Sequence, residues 1–278
     1  KLFKQSSTLD NRMDFSKSYS QCRFGQIHYQ ICGSGKPLIL CHQSPSSLEM
    51  FQSVYPLLAK KGVMAIGVDT PGYGQSDVPK EQPTIHDYAE CVMNIIKDLG
   101  LEKTAVLGHH TGACIAAELA VMKPDLITQV ILNGPPLMTG EEKQVMIKAI
   151  EQAPVIVPQK DGSHLIDLWN KRIGFTPGWT NVEAMHRGVV QMLRADKNDF
   201  FGFQAAFEQD LHGLLLKIEQ PTMILTNTGD DIYFAALRAK EIRPDFLFKE
   251  LSGGTHDIVD EQPEAWAEIV TEFFFEKK

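Results

Sequence analysis

Short apolar runs alternate with amphipathic stretches along most of this chain. The apolar runs predict strands buried on both faces of a sheet, at 37–41, 63–69, 103–108, 126–132, 221–226 and 246–251. Stretches with apolar residues at every third or fourth position predict helices, at about 48–60, 84–99, 112–122, 232–241 and 263–275. Strands and helices that alternate in this way predict an α/β fold with a parallel sheet covered on both faces.

Two segments depart from this alternation. Residues 24–32, the Gly33–Gly35 turn and residues 37–41 predict a hairpin leading into the first buried strand. Residues 136–218 contain helical patterns alone, near 140–152, 163–173, 181–194 and 197–214. We therefore expect an N-terminal extension (1–22), an α/β core (23–135 and 219–278) and a helical insert (136–218). Such an insert is expected to cover the carboxyl ends of the strands, where open α/β sheets bind ligands.

Charge and cysteine content limit the classes of partner. The formal net charge is −8, whereas proteins that bind nucleic acid or anionic membranes carry clustered Lys and Arg, so we expect neither partner. The five cysteines lack CxxC spacing and predict buried thiols in a reducing compartment. No signal peptide is visible, so we expect a cytoplasmic protein, although the chain does not begin with Met and a removed leader stays open.

The segment Gly108-His109-His110-Thr111-Gly112 lies between a predicted strand and a predicted helix. Its form, Gly-x-x-x-Gly, is that of a nucleophile elbow, a tight turn that presents its middle residue above a sheet. We predict a positive φ for His110, since histidine is among the residues that tolerate that conformation.

Four motifs in this order resemble those of the α/β-hydrolase superfamily. They are His42-Gln43-Ser44-Pro45, Asp69-Thr70-Pro71-Gly72-Tyr73-Gly74-Gln75-Ser76, the elbow, and Gly253-Gly254-Thr255-His256. The resemblance covers about residues 23–275 and is to the capped branch, which includes epoxide hydrolases, haloalkane dehalogenases and small esterases. It implies a mostly parallel eight-stranded sheet with helices on both faces and a helical cap inserted after the sixth strand.

The same resemblance implies roles for several side chains. His256 matches the catalytic histidine, and Asp230 matches the acid that orients it, with Asp231 as the alternative. The backbone N–H groups of Ser44 and Thr111 match the oxyanion hole. Gln43 replaces the glycine that is usual in the first motif.

The nucleophile position is the main departure. Epoxide hydrolases and haloalkane dehalogenases carry Asp there and esterases carry Ser, whereas this chain carries His110. The chain also has no tyrosine between 136 and 218, which argues against epoxide opening by the family's usual route. Three interpretations stay open: His110 and the His256–Asp230 pair activate water or abstract a substrate proton, His110 forms an acyl-imidazole, or the chain binds a ligand without turnover.

The expected ligand is a small apolar molecule. Aromatic and Met side chains of the insert are expected to line the pocket together with three residues of the motifs: Trp169, Trp179 and Met185, with His42, Gln43 and His109. A metal held by His42, His110 and His256 is disfavoured, because the acid of this fold stands behind the imidazole, so we predict no cofactor. We expect hydrolysis of an ester or lactone, with a cofactor-free lyase or proton-transfer enzyme, or a non-catalytic binding protein, as alternatives. A homodimer is left open.

Overall fold

A computed structural model of the protein describes residues 15–152, 156–195 and 198–276. Within these residues eight strands form one sheet in the order β1-β2-β4-β3-β5-β6-β7-β8. The strands are β1 (Phe15–Cys22), β2 (Gly25–Cys32), β3 (Lys36–Cys41), β4 (Val63–Val68), β5 (Thr104–His109), β6 (Ile127–Asn133), β7 (Thr222–Asn227) and β8 (Leu247–Leu251). Strands β3 to β8 pair in parallel. At one edge of the sheet, β2 pairs antiparallel with β4, and β1 pairs antiparallel with β2. The predicted fold class is confirmed.

The edge with β1 and β2 differs from the expectation in two ways. The predicted hairpin across Gly33–Gly35 is wrong, because β4 lies between β2 and β3. The actual hairpin joins β1 to β2, with Cys22 opposite Gly25. The sheet therefore begins at Phe15, within the segment expected to be an extension.

Helices cover both faces of the sheet. They are α1 (Tyr55–Lys60), α2 (Ile85–Asp98), α3 (Thr111–Met122), α4 (Gly140–Glu151), α5 (Ser163–Gly174), α6 (Val182–Ala195), α7 (Phe201–Glu208), α8 (Leu211–Leu215), α9 (Tyr233–Ile242), α10 (Ile258–Glu261) and α11 (Pro263–Phe275). Buried side chains of α2, α3 and α9 pack on one face, and those of α1 and α11 pack on the other. Thr84 and Asp87 form a capping box that begins α2.

Helices α4 to α8 lie between β6 and β7, as the helical patterns predict. The fourth predicted helix is divided into α7 and α8, because Asp210 accepts a hydrogen bond from the Gly213 N–H and begins a new helix. No described helix has the length and apolar character needed to cross a membrane.

Candidate functional site

The turn between β5 and α3 has the geometry of a nucleophile elbow. His110 has φ 48° and ψ −109°, so the predicted positive φ is confirmed. A Cβ atom at Gly108 would lie 1.8 Å from the Gly112 carbonyl oxygen, and one at Gly112 would lie 2.1 Å from that of Cys41. The two glycines therefore let the strand and helix approach closely enough to hold His110 in its strained conformation.

His110 is paired with Asp230, which follows β7. The His110 Nε2–H donates to Asp230 Oδ2 over 2.8 Å, and the Asp230 side chain is fully buried. Gly134, directly after β6, leaves space for this contact: a Cβ atom there would lie 2.7 Å from His110 Nε2 and 2.9 Å from Asp230 Oδ2. The elbow residue thus reaches the carboxylate across the end of β6.

Asp230 is held as an anion. Burial alone would raise the pKa of this carboxyl group, but the adjacent His110 imidazole and the Ile232 N–H together keep the pKa well below its usual range. An ionised carboxylate can only accept hydrogen bonds, so the proton of a neutral His110 ring lies on Nε2. Nδ1 has no hydrogen-bond partner in the described part of the chain and carries the lone pair.

His256 does not pair with Asp230, so the pairing predicted from the sequence is wrong. Its Nδ1 lies 3.6 Å from Asp231 Oδ2 and its Nε2 lies 3.5 Å from Asp257 Oδ2. The physical reason is the size of the elbow side chain. The His110 ring is long enough to reach Asp230, and its Nε2 is hydrogen-bonded to the Asp230 Oδ2 atom at 2.8 Å.

The helical insert contributes to the surroundings of His256. Arg172 of α5 forms an ion pair with Asp257, and the Phe175 ring lies edge-on to the His256 ring at 6.3 Å. Burial lowers the pKa of His256 and Arg172 lowers it further, but Asp231 and Asp257 outweigh both, so the pKa of His256 is raised. The protonation of His256 thus depends on a residue of the insert.

A second ion pair joins the insert to the segment that follows His256. Arg187 of α6 lies 2.9 Å from Asp260. Gln191 of the same helix accepts a hydrogen bond from the Ser47 N–H over 2.8 Å. Helices α5 and α6 therefore contact the segment that follows His256, and α6 also contacts the segment that follows the Ser44–Pro45 turn.

The turn expected to supply an oxyanion donor is compact. The Ser44–Pro45 peptide bond is cis, and the Ser46 N–H donates to the Gln43 carbonyl over 2.9 Å. Ser44 and Thr111 are both buried, and Thr111 opens α3 immediately after the elbow apex. Their backbone N–H groups remain the predicted oxyanion donors.

Three residues expected to line the pocket are engaged with the protein itself. His42 donates from Nδ1 to the Gln43 carbonyl and accepts from the Thr70 N–H at Nε2, so it braces the turn. The Gln43 amide and the His109 Nε2 both approach the carbonyl oxygen of His256, at 3.4 and 3.0 Å. These side chains therefore bind main-chain groups of the Gln43 turn, of Thr70 and of His256, a role that the motifs alone did not indicate.

The other pocket predictions concern the insert. Met185 is buried in α6, whereas Trp169 and Trp179 are half-buried. Their contact with a ligand stays a prediction. The described residues contain no group of three or more His, Cys, Asp or Glu side chains placed to hold a metal ion.

Sequence reasoning missed two residues near the site, Tyr73 and Arg172. The Tyr73 hydroxyl accepts the Gly202 N–H of α7 over 2.7 Å, and burial raises the pKa of Tyr73 to about 12. Tyr73 thereby connects the Asp69–Ser76 motif to the insert, although it lies outside residues 136–218. Arg172 lies outside the four motifs. Its partner Asp257 is 85 positions away in the chain, so local sequence did not indicate the ion pair.

Two known proteins of similar sequence are named as hydrolases. The chain is 26% identical over 236 residues to bifunctional epoxide hydrolase 2 of Mus musculus, a match that covers 81% of this chain and 39% of that protein. The chain thus corresponds to well under half of that relative. It is also 26% identical over 212 residues to (E)-2-((N-methylformamido)methylene)succinate hydrolase of Acinetobacter baylyi, covering 73% of this chain and 76% of that protein.

A solved structure supports the same fold. The crystal structure of E-2-(acetamidomethylene)succinate hydrolase superposes with a TM-score of 0.77 at 19% identity, covering 94% of this chain and 99% of that one. The sequence model of the alpha/beta hydrolase fold family matches residues 36–263, which include the elbow, Asp230 and His256. The chain therefore belongs to the alpha/beta hydrolase fold family.

Proposed function

We propose that this protein hydrolyses a small carbonyl compound by direct attack of water, with His110 as the general base and Asp230 as the acid that orients it. The single observation that carries the proposal is the 2.8 Å hydrogen bond from Nε2 of His110, at the apex of the elbow, to the buried Asp230 carboxylate. This bond leaves the Nδ1 lone pair to accept a proton.

The proposed reaction has two proton transfers. His110 Nδ1 takes a proton from water while the water oxygen attacks the carbonyl carbon, and the ionised Asp230 stabilises the imidazolium that forms. The Ser44 and Thr111 N–H groups are the proposed donors to the oxyanion. His256, whose pKa is raised, is the proposed acid that protonates the leaving group.

Direct attack by water and the choice of a carbonyl substrate each have separate support. The elbow carries neither Asp nor Ser, so a stable covalent ester on this residue is not available, and an acyl-imidazole hydrolyses readily. The names of two similar proteins describe hydrolysis of amide-bearing methylene succinates. Esters, lactones and activated amides are therefore the substrate classes to test.

The test is turnover of a panel of small esters, lactones and enamides by the wild type and by three variants, His110→Asn, Asp230→Asn and His256→Asn. We expect hydrolysis by the wild type and losses of about 10²–10⁴-fold in kcat for His110→Asn and His256→Asn. A single turnover in ¹⁸O-water, quenched and analysed by mass spectrometry, is expected to label the product and leave His110 unmodified. An acyl adduct on His110, or activity unaffected by His110→Asn, would contradict the proposal.

A second candidate is a lyase or proton-transfer reaction on the same residues. It is favoured by the presence of two imidazoles with separate carboxylate partners, since such a site can remove a proton at one point and deliver it at another. Exchange of substrate hydrogen with deuterated water without hydrolysis would favour this reaction.

A further inference from the structure

His109 contacts both candidate catalytic histidines. It is the last residue of β5 and is fully buried. Its ring stacks on that of His110, with the centroids 4.4 Å apart and the planes 22° apart. Its Nε2 lies 3.0 Å from the carbonyl oxygen of His256. One side chain thus joins the elbow apex to the loop after β8.

The ionisation of His109 differs from that of its neighbours. Burial, followed by the adjacent His110, lowers the pKa of His109 to about 3. The ring therefore carries one proton in the neutral pH range, and the carbonyl of His256 can only accept, so that proton lies on Nε2. His109 is a fixed donor that adds no positive charge beside His110.

The backbone at His256 is held by further contacts. The Gln43 amide is a second donor to the same carbonyl, at 3.4 Å. The amide of Asn227, at the end of β7, donates to the Gly253 carbonyl over 2.9 Å and to the Thr255 carbonyl over 3.1 Å. Three carbonyl groups of this loop thereby accept side-chain hydrogen bonds, and one of them belongs to His256 itself.

We propose that His109 is a positioning residue, which fixes the main chain of His256 through its Nε2–H and the ring of His110 through stacking. Its effect is to keep the two imidazoles on separate carboxylates, His110 on Asp230 and His256 on Asp231 and Asp257. Without the N–H donor, the His256 side chain is free to turn away from Asp231 and Asp257. The proposal goes beyond the proposed function, on which only its kinetic readout depends.

Two substitutions separate the contacts of His109. His109→Gln keeps an N–H donor at about the position of Nε2 and removes the ring, whereas His109→Phe keeps a flat ring and removes the donor. His86→Phe, at a half-exposed histidine paired with Glu118, is the matched control. The readouts are the imidazole ¹⁵N shifts of His110 and His256 during a pH titration, and kcat and KM on any substrate that the panel yields.

His109→Phe is expected to lower the pKa of His256, because Asp231 and Asp257 are the groups that raise it. It is also expected to lower kcat by up to about 10²-fold with little change in KM, the scale of an ångström-sized misplacement. His109→Gln is expected to retain the His256 titration, and His86→Phe is expected to change neither readout.

An unchanged His256 titration in His109→Phe would overturn the proposal, and so would an equal shift in the Gln and Phe variants. If His109→Phe does not fold, Gln43→Ala removes the other donor and is expected to shift the His256 pKa in the same direction by less. The NMR readout needs no turnover. Failure of the proposed function and failure of this proposal are thus distinguishable.

Discussion

The two histidine–carboxylate pairs of the site are built differently. His110 and Asp230 both belong to the α/β core, lie 2.8 Å apart, and place the carboxylate out of contact with water. His256 lies 3.5–3.6 Å from two carboxylates, of which Asp231 is 65% exposed and Asp257 is also bound by Arg172 of the insert. The first pair is enclosed and short, and the second is long and partly solvated.

This difference implies different stabilities of the charge states. A buried carboxylate at hydrogen-bond distance interacts strongly with its partner, whereas water screens an exposed one. We expect the short contact with Asp230 to fix which nitrogen of the neutral His110 ring carries the proton. We expect the protonation of His256 to respond to the position of the insert.

The largest expected effect comes from Asp230→Asn. The substitution removes the charge that holds the His110 tautomer, so turnover is expected to fall by up to about 10⁴-fold while the fold is retained. Steady-state kinetics and circular dichroism check this. Asp231→Asn is the comparison: it removes one of the two carboxylates that raise the pKa of His256, but water screens its exposed charge, so a smaller loss of turnover is expected. Similar losses in both variants would remove the distinction between the pairs.

The next effect concerns the connection between the insert and His256. Arg172→Met breaks an ion pair whose side chains are 8% and 14% exposed, and it is expected to destabilise the protein by up to about 3–5 kcal/mol. It is also expected to raise the pKa of His256, which Arg172 lowers.

Arg194→Met is the matched control for Arg172→Met. Its ion pair with Glu49 is 44% and 31% exposed, so its loss is expected to cost less than about 1 kcal/mol. Urea unfolding and NMR titration measure the two effects. Equal destabilisation by both substitutions would show that the ion pair between Arg172 and Asp257 does not stabilise the position of α5.

A smaller effect is the pH dependence of stability. The pKa of Asp230 is lowered on folding, so its contribution is present above the unfolded value of about 3.9 and is lost as the pH falls through the folded value. The pKa of His256 is raised, so its contribution is present below about 6.5 and is lost as the pH rises through the folded value.

Stability curves of the variants check these signs. Relative to the wild type, His256→Asn is expected to lose more stability at pH 5 than at pH 9, and Asp230→Asn is expected to lose more at pH 7 than at pH 2. The opposite order in either variant would contradict the direction of the corresponding pKa shift.

The last prediction concerns labelling by fluorophosphonate probes, and we expect none in the wild type. These reagents need an activated hydroxyl group, and the elbow supplies an imidazole. His110→Ser, which introduces a hydroxyl group at the elbow, is the comparison that shows whether the probe enters the site. Intact-mass spectrometry reads both, and stoichiometric labelling of the wild type at Ser44, Ser76 or Thr111 would mean that the nucleophile lies elsewhere.

The fold was predictable where burial is strong. Strands such as Val63–Val68 are apolar on both faces, and α2 carries a regular apolar stripe and a capping box, so each could be recognised locally. Strand β1 was missed because it is an edge strand with one buried residue among its eight. Its sequence is polar, and only its pairing with β2 makes it a strand.

The site was predictable in part. The glycines at 108 and 112 require a tight turn, so the conformation of His110 followed from the sequence. The partner of Asp230 did not, because it depends on how far the elbow side chain reaches. Arg172, Tyr73 and His109 were missed or misassigned, since their roles arise from contacts between segments distant in the chain.

Gly134 links the chemistry of the elbow to the end of a different strand, β6. Its missing side chain is the space that the His110 ring and the Asp230 carboxylate occupy. A larger residue at 134 would separate the pair in this protein, whereas a shorter elbow residue would leave that space free. Positions 110 and 134 are thus sterically coupled: the histidine at the elbow reaches Asp230 only because position 134 carries no side chain.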